Sequence, residues 1–130
     1  PFRNAHLLST ATSWAEVLGA TRIYVGFVQE DSSGYPDCTE HFLTSFESTA
    51  QAGTKPETQL SFHAPLLHHS KKEIVEKGHR LQVPFHLTWS CYQASEKACG
   101  SCDSCLLRLR GFHAAGLIDP IPYTSRPQTF

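Results

Sequence analysis

The sequence predicts an α/β protein in which helices alternate with parallel strands, and a four-cysteine metal knuckle stands near the C-terminal end. Three observations carry that expectation. Helix-like and strand-like patterns follow one another as helix, strand, helix, strand, helix, knuckle, helix, the alternation that builds a layered sheet with parallel strands. The stretch 23–28, Ile-Tyr-Val-Gly-Phe-Val, is a short and almost continuous apolar run, as expected of a strand covered on both faces. Finally, Cys91, Cys99, Cys102 and Cys105 crowd into a short segment that contains four of the five cysteines.

Bulk composition sets the frame for these elements. A chain of 130 residues, 40% hydrophobic and 18% charged, suits one domain with a real core and offers no membrane-spanning stretch. A formal net charge of −1 lacks the basic footprint of a nucleic-acid binder, so neither nucleic acid nor membrane is an expected partner. Methionine is absent and the chain opens at Pro1 directly onto a helical pattern. We therefore expect a piece of a longer protein rather than a processed chain.

Along the chain, Leu7, Leu8, Ala11, Trp14, Ala15 and Leu18 recur at helical spacing, with Asn4 as N-cap and Gly19 as the stop. After the 23–28 strand comes a polar loop through Asp31, Ser33, Gly34 and Tyr35. Asp37, with Glu40 three residues on, reads as a capping box for a second helix. Phe42, Leu43, Phe46 and Ala50 supply its buried stripe, and Gly53 ends it. A second strand is expected over 59–62. Ser70 and Glu73 form another capping box, which opens a third helix reaching Gly78 or a little beyond. The last helix runs over 104–115, and the Pro-rich tail from Asp119 is expected to be weakly ordered. Two parallel strands cannot complete a sheet that carries three or four helices. The missing strands are expected upstream of Pro1.

The cysteine segment reads Trp89-Ser90-Cys91, then Cys99-Gly100-Ser101-Cys102-Asp103-Ser104-Cys105. Two overlapping C-x-x-C steps bring three thiolates close together, and Cys91 returns as the fourth. A closed tetrahedral zinc site needs such an arrangement, with no position left for water. Such a site is structural, not catalytic. Disulfides are the rival reading, but redox C-x-x-C pairs come singly beside a strand. With no signal-peptide pattern and no further cysteine cluster, an oxidising compartment is not expected. Cys38, remote from the cluster, is expected to be reduced and partly buried.

Two other stretches could carry chemistry. Asp31, Ser33, Gly34, Tyr35 and Asp37 follow the first strand, where ligands bind in open α/β sheets. A carboxylate, a hydroxyl and an aromatic face suit a planar heterocycle, although the same residues also make an ordinary polar turn. Lys71 and Lys72 lie in the first turn of the third helix, where the macrodipole disfavours positive charge unless an anion binds. A solvated face balanced by Glu73 and Glu76 explains them as well. Arg3 and Asn4 open the first helix in a similar way. His63, His68, His69 and His86 read as surface or packing residues, and Trp14 and Trp89 as packing residues. No Walker loop, dinucleotide fingerprint or nucleophile elbow is present.

Taken together, these stretches resemble the 7-cyano-7-deazaguanine synthase family of the queuosine pathway. The likeness is carried by Pro1-Phe2-Arg3-Asn4, Asp31-x-Ser33-Gly34-Tyr35-Pro36-Asp37-Cys38, Pro65-Leu66 with Ser70-Lys71-x-Glu73, and Thr88-Trp89-Ser90-Cys91-Tyr92. Cys99-Gly100-x-Cys102-Asp103-Ser104-Cys105, Arg108, Gly111-Phe112 and Ala115-Gly116 complete it, so the resemblance runs from Pro1 to about Pro120.

The resemblance implies a Rossmann-like ATP-pyrophosphatase fold of the adenine nucleotide alpha hydrolase type, here incomplete. Residues 1–120 would be the C-terminal part of one synthase domain, with the knuckle at 91–105 and a tail at 121–130. It implies a cytoplasmic, ATP-dependent ligase, homodimeric by analogy, that converts 7-carboxy-7-deazaguanine and ammonia into the 7-cyano base. Adenylation activates the carboxylate, ammonia gives the amide, and a second activation removes water. Cys91, Cys99, Cys102 and Cys105 would hold structural Zn2+. Lys71 and Arg3 would face the phosphates of ATP, which Mg2+ accompanies. Asn4, Asp31, Ser33, Tyr35 and Asp37 would bind the substrate. No residue is singled out as catalytic.

The sequence also departs from the family pattern. The family's Ser-Gly-Gly-x-Asp-Ser phosphate loop is missing, Phe2 stands where glycine is common, and Thr39 stands where arginine usually follows Pro-Asp-Cys. Without that loop the chain alone is expected to be inactive. A free-standing zinc-knuckle interaction module, or a relative amidating another carboxylate, are the alternative readings.

Overall fold

A computed structural model describes residues 1–28 and 34–127. The chain divides into two compact units, one spanning Pro1–His68 and the other beginning at His69.

The first unit is a mixed α/β structure built on a small parallel sheet. Its order is α1 (Arg3–Leu18), β1 (Arg22–Tyr24), a 3-10 turn at Pro36–Cys38, α2 (Glu40–Gly53) and β2 (Ser61–His63). β1 and β2 pair in parallel, with Ile23 opposite Phe62 and Tyr24 opposite His63. Each strand has three residues, shorter than either run in the sequence suggests. β1 is not covered on both faces: Arg22 and Tyr24 are exposed, and the Tyr24 ring stacks on its partner His63 at 5.2 Å. The apolar run was a reliable sign of a strand, but what buries most deeply is its end, at Phe27 and Val28.

Helix α1 presents a stripe that shares only Leu8 and Ala15 with the expected one. Ala5, Leu8, Thr12 and Ala15 face inward, whereas Leu7, Trp14 and Leu18 are exposed. The inward set keeps the i, i+3, i+4 spacing, and Thr12 is accepted in it because its hydroxyl donates to the Leu8 carbonyl at 2.7 Å. Trp14 therefore does not pack. Gly19 stops the helix as expected, in the left-handed region at φ 66°.

The N-terminal caps also differ from the expected ones. Phe2, not Asn4, is the N-cap of α1 and sits in the left-handed region at φ 62°, which explains why a glycine suits this position. Asn4 is the second residue of the helix, within its first turn. Asp37 does not cap α2; Thr39 does, accepting the Phe42 N–H at 3.1 Å. Inside the unit, Leu8, Ala15, Phe27, Leu43, Ala50, Leu60, Phe62 and Leu67 form one apolar core, with Phe42 and Phe46 packed against it.

The second unit contains α3 (Lys71–Arg80), a 3-10 turn at Phe85–Leu87, the cysteine segment and α4 (Asp103–Ala114). α3 opens with the expected capping box: Ser70 Oγ accepts the Glu73 N–H, and Glu73 accepts the Ser70 N–H at 2.8 Å. α3 and α4 approach closely at Gly111, where a Cβ would stand 2.9 Å from Lys71 Cβ. Arg108 on α4 lies over the Phe112 ring at 5.4 Å, and that ring meets Phe85 edge-on.

The segment after α4 is ordered, not loose. Asp119 and Ile121 are each 2% exposed, and Tyr123 forms a parallel bridge with Ala98. Buried Asp119 and Ile121 and half-buried Tyr123 alternate with the exposed Pro120 and Pro122, the period of an extended strand. This alternation was visible in the sequence but was outweighed there by the proline content. Among the described residues no helix is long and apolar enough to cross a membrane.

Candidate metal centre

The four clustered cysteines reach one point from three pieces of backbone. Cys91 follows the extended Thr88, Cys99 and Cys102 flank a tight turn at Gly100 (φ 78°), and Cys105 lies in the first turn of α4. Their sulfur atoms all lie within 4.8 Å of one another. Cys99 Sγ and Cys105 Sγ are 3.9 Å apart, close to the edge of about 3.8 Å that four sulfurs at zinc distance from one ion would make. None of them is disulfide-bonded.

Backbone donors converge on the sulfurs as well. Cys91 Sγ accepts N–H groups from Gln93 and Cys99, each at 3.4 Å. Cys99 Sγ accepts from Ser101 at 3.4 Å and Cys102 at 3.3 Å. Such bonds favour the thiolate. Ser101, through its side chain and its N–H, and the Cys102 N–H bring the Cys99 thiol down to about 6. The Cys99 N–H lowers Cys91. Cys105 goes the other way: burial pushes it up to about 12, because a lone anion there would be out of reach of water. A divalent cation resolves this opposition, since it supplies positive charge where burial would otherwise keep a proton. An all-sulfur donor set with compatible spacing and amide support fits zinc.

A wall surrounds this cluster. Cys91, Ala98, Cys105 and Ile121 form a buried group against which Tyr123 packs. Trp89 is 40% exposed and not a packing residue in the ordinary sense; its indole N–H donates to the carbonyls of Cys91 and Ala94, at 3.2 and 3.0 Å. Asp119 accepts from Arg108 Nε at 2.6 Å, from Arg108 Nη2 at 2.9 Å and from the Tyr123 hydroxyl at 2.7 Å. Burial alone would raise the Asp119 carboxyl, but the Arg108 and Tyr123 hydrogen bonds hold it below its usual value. Ala98, Asp119, Ile121 and Tyr123 were missed by the sequence reading; the alternation at 119, 121 and 123 was the one available signal.

The other predicted site residues fall into separate places. Asn4 and Asp37 are joined directly: Asp37 Oδ2 accepts the Asn4 N–H at 2.9 Å, and the Asn4 amide donates to the Asp37 carbonyl and to Cys38 Sγ at 3.1 Å. Asp37 is buried, Tyr35 is 45% exposed, and Arg3 is exposed beside Asn4. Asp31 and Ser33 lie outside the described residues. Lys71 belongs to the second unit, as the first residue of α3, half-buried against Gly111. Cys38 is half-buried and in no disulfide, as expected.

A parallel α/β unit together with a four-cysteine knuckle marks a metal-knuckle α/β protein. The chain belongs to the family described as queuosine biosynthesis protein QueC, whose profile matches residues 1–116. Among curated relatives it is 58% identical over 127 residues to the 7-cyano-7-deazaguanine synthase of Chlorobium phaeobacteroides, covering 98% of this chain and 56% of that protein. The synthases of Chlorobaculum parvum and of a Nitratiruptor species are 54% and 55% identical, with 98% and 96% of this chain and 56% and 57% of those proteins covered. The chain thus spans a little over half the length of these relatives.

Proposed function

We propose that this chain is the C-terminal part of an ATP-dependent 7-cyano-7-deazaguanine synthase, residues 1–120 belonging to one synthase domain that its N-terminal part completes. The observation that supports this most is the 54–58% identity to proteins of that name across nearly the whole chain. In the complete enzyme, 7-carboxy-7-deazaguanine reacts with ATP to give an acyl-adenylate and pyrophosphate. Ammonia displaces AMP to form the amide. A second ATP then adenylates the amide oxygen with release of pyrophosphate, and that oxygen leaves with AMP as the two amide protons are lost and the nitrile forms.

Within that scheme Arg3 and Lys71 contact nucleotide phosphates, and Mg2+ accompanies the ATP. Asn4, Asp31, Ser33, Tyr35 and Asp37 bind the deazaguanine. Zinc held by Cys91, Cys99, Cys102 and Cys105 supplies cross-linking of the backbone and no open coordination position for chemistry. The enzyme works in the cytoplasm as a homodimer.

The test is to join this chain to the preceding portion of the Chlorobium relative and assay cyano-base formation by mass spectrometry. Product that requires ATP, ammonia and the 7-carboxy base, with no turnover by the chain alone, is the expected result. A fused protein that folds and binds zinc yet accepts a different carboxylate instead would sink the substrate assignment.

A further inference from the structure

We propose that the segment 119–126 is a latch that closes the metal knuckle and slows release of its metal. The proposal rests on the zinc reading above and concerns residues beyond the stretch that the family profile matches, which ends at 116.

The segment is fastened at three levels. Its backbone pairs with the knuckle: the Ala98 N–H donates to the Pro122 carbonyl at 2.9 Å, and the Thr124 N–H to the Ala98 carbonyl at 2.8 Å. Its side chains wall the sulfurs, with Ile121 2% exposed beside Ala98 and Cys105, both 0% exposed. The Ser125 carbonyl covers Gly100, filling the space a side chain would take there. Asp119 is the keystone, since Arg108 from α4 and Tyr123 from the segment itself both donate to its carboxylate. Arg108 also donates to Thr88 Oγ1 at 2.8 Å, three residues before Cys91. Arg126 closes the loop by donating to the carbonyls of Asp119 and Ile121 at 2.8 and 3.0 Å, over the Tyr123 ring.

Zinc leaves a thiolate site when a proton or competing ligand reaches a sulfur, so access sets the rate. Cys105 is the sulfur with no exposure, and Ile121 and Tyr123 stand against its cluster. Opening the latch is the step that exposes it.

The experiment uses the zinc-loaded full chain and an excess of a chromophoric chelator, following metal transfer with time. Tyr123→Phe removes one hydrogen bond to the Asp119 carboxylate, and release is expected to quicken by about tenfold. Asp119→Asn should be faster still, while Ile118→Ala, at an 84% exposed neighbour, should match the parent. Circular dichroism on each zinc-loaded variant separates misfolding from faster release, and Tyr123→Phe keeps the test alive if Asp119→Asn does not fold. One zinc per chain with the same release rate in the parent and in folded Tyr123→Phe overturns the latch alone. A chain that takes up no zinc overturns the metal reading and the latch together.

Discussion

At Gly100 the backbone turns at φ 78° while the Ser125 carbonyl occupies the position of a would-be Cβ. Both facts oppose a side chain, since left-handed backbone costs a non-glycine residue about 1 kcal/mol and backbone cannot easily give way. Gly100→Ala is therefore expected to destabilise the chain by roughly 2 kcal/mol or more, read from urea denaturation of the zinc-loaded protein. The cysteines make a larger demand. Structural zinc contributes on the order of 10 kcal/mol of apparent folding free energy, so Cys102→Ser should lose the metal and lower the melting temperature sharply. A serine variant that loses zinc yet melts where the parent does would refute the structural assignment. Asp119 gives a pH signature. Its carboxyl is lowered in the folded state, so its contribution is complete above the unfolded value of about 3.9 and fades as pH falls through the lower folded value. The melting difference between the parent and Asp119→Asn should shrink in that acidic range and stay flat above it.

Among the elements, the helix ends show what the sequence could and could not tell. The Ser70–Glu73 capping box was legible because both partners sit on neighbouring turns and answer each other's N–H groups. The same pattern at Asp37 and Glu40 misled, because Asp37 has a stronger call on its carboxylate: the Asn4 N–H, thirty-three residues away in sequence. No local pattern reports a distant donor, and Thr39 took over the cap of α2. Thr39→Ala is accordingly expected to cost about 1 kcal/mol, measured by thermal melting, whereas Glu40→Gln should leave α2 unchanged. The cysteine cluster was fully legible, since C-x-x-C spacing places sulfurs regardless of what surrounds them. Its wall was not, because Ile121 and Asp119 arrive through tertiary pairing with Ala98 and Arg108 from a segment that composition marks as a tail.

On the scale of the whole molecule, the two compact units are held by different means. Pro1–His68 has an apolar core of leucines, alanines and phenylalanines around two short strands. The unit from His69 relies on the knuckle, the Arg108–Asp119 pair and the packing of α3 on α4. Chelation should accordingly strip amide-exchange protection from 69–127 first, with α1 and α2 persisting. Loss of protection in both units at the same chelator concentration would show that they fold as one. The alternation of helices and strands foretold the class of the fold, and the two strands expected are the two found among the described residues. The face that α1 buries was foretold only in part, at Leu8 and Ala15, because Thr12 enters the core by bonding to its own helix.

The closure over the cysteines bears on how the protein can be handled. A version trimmed at residue 116 would keep all four clustered thiols but lose Asp119, Ile121 and Tyr123. Arg108 would then be left without its carboxylate partner, and Cys105 would face solvent on one side. In air, such a chain would cross-link through its sulfurs faster on storage, giving a stronger ladder on a non-reducing gel than the untrimmed protein gives.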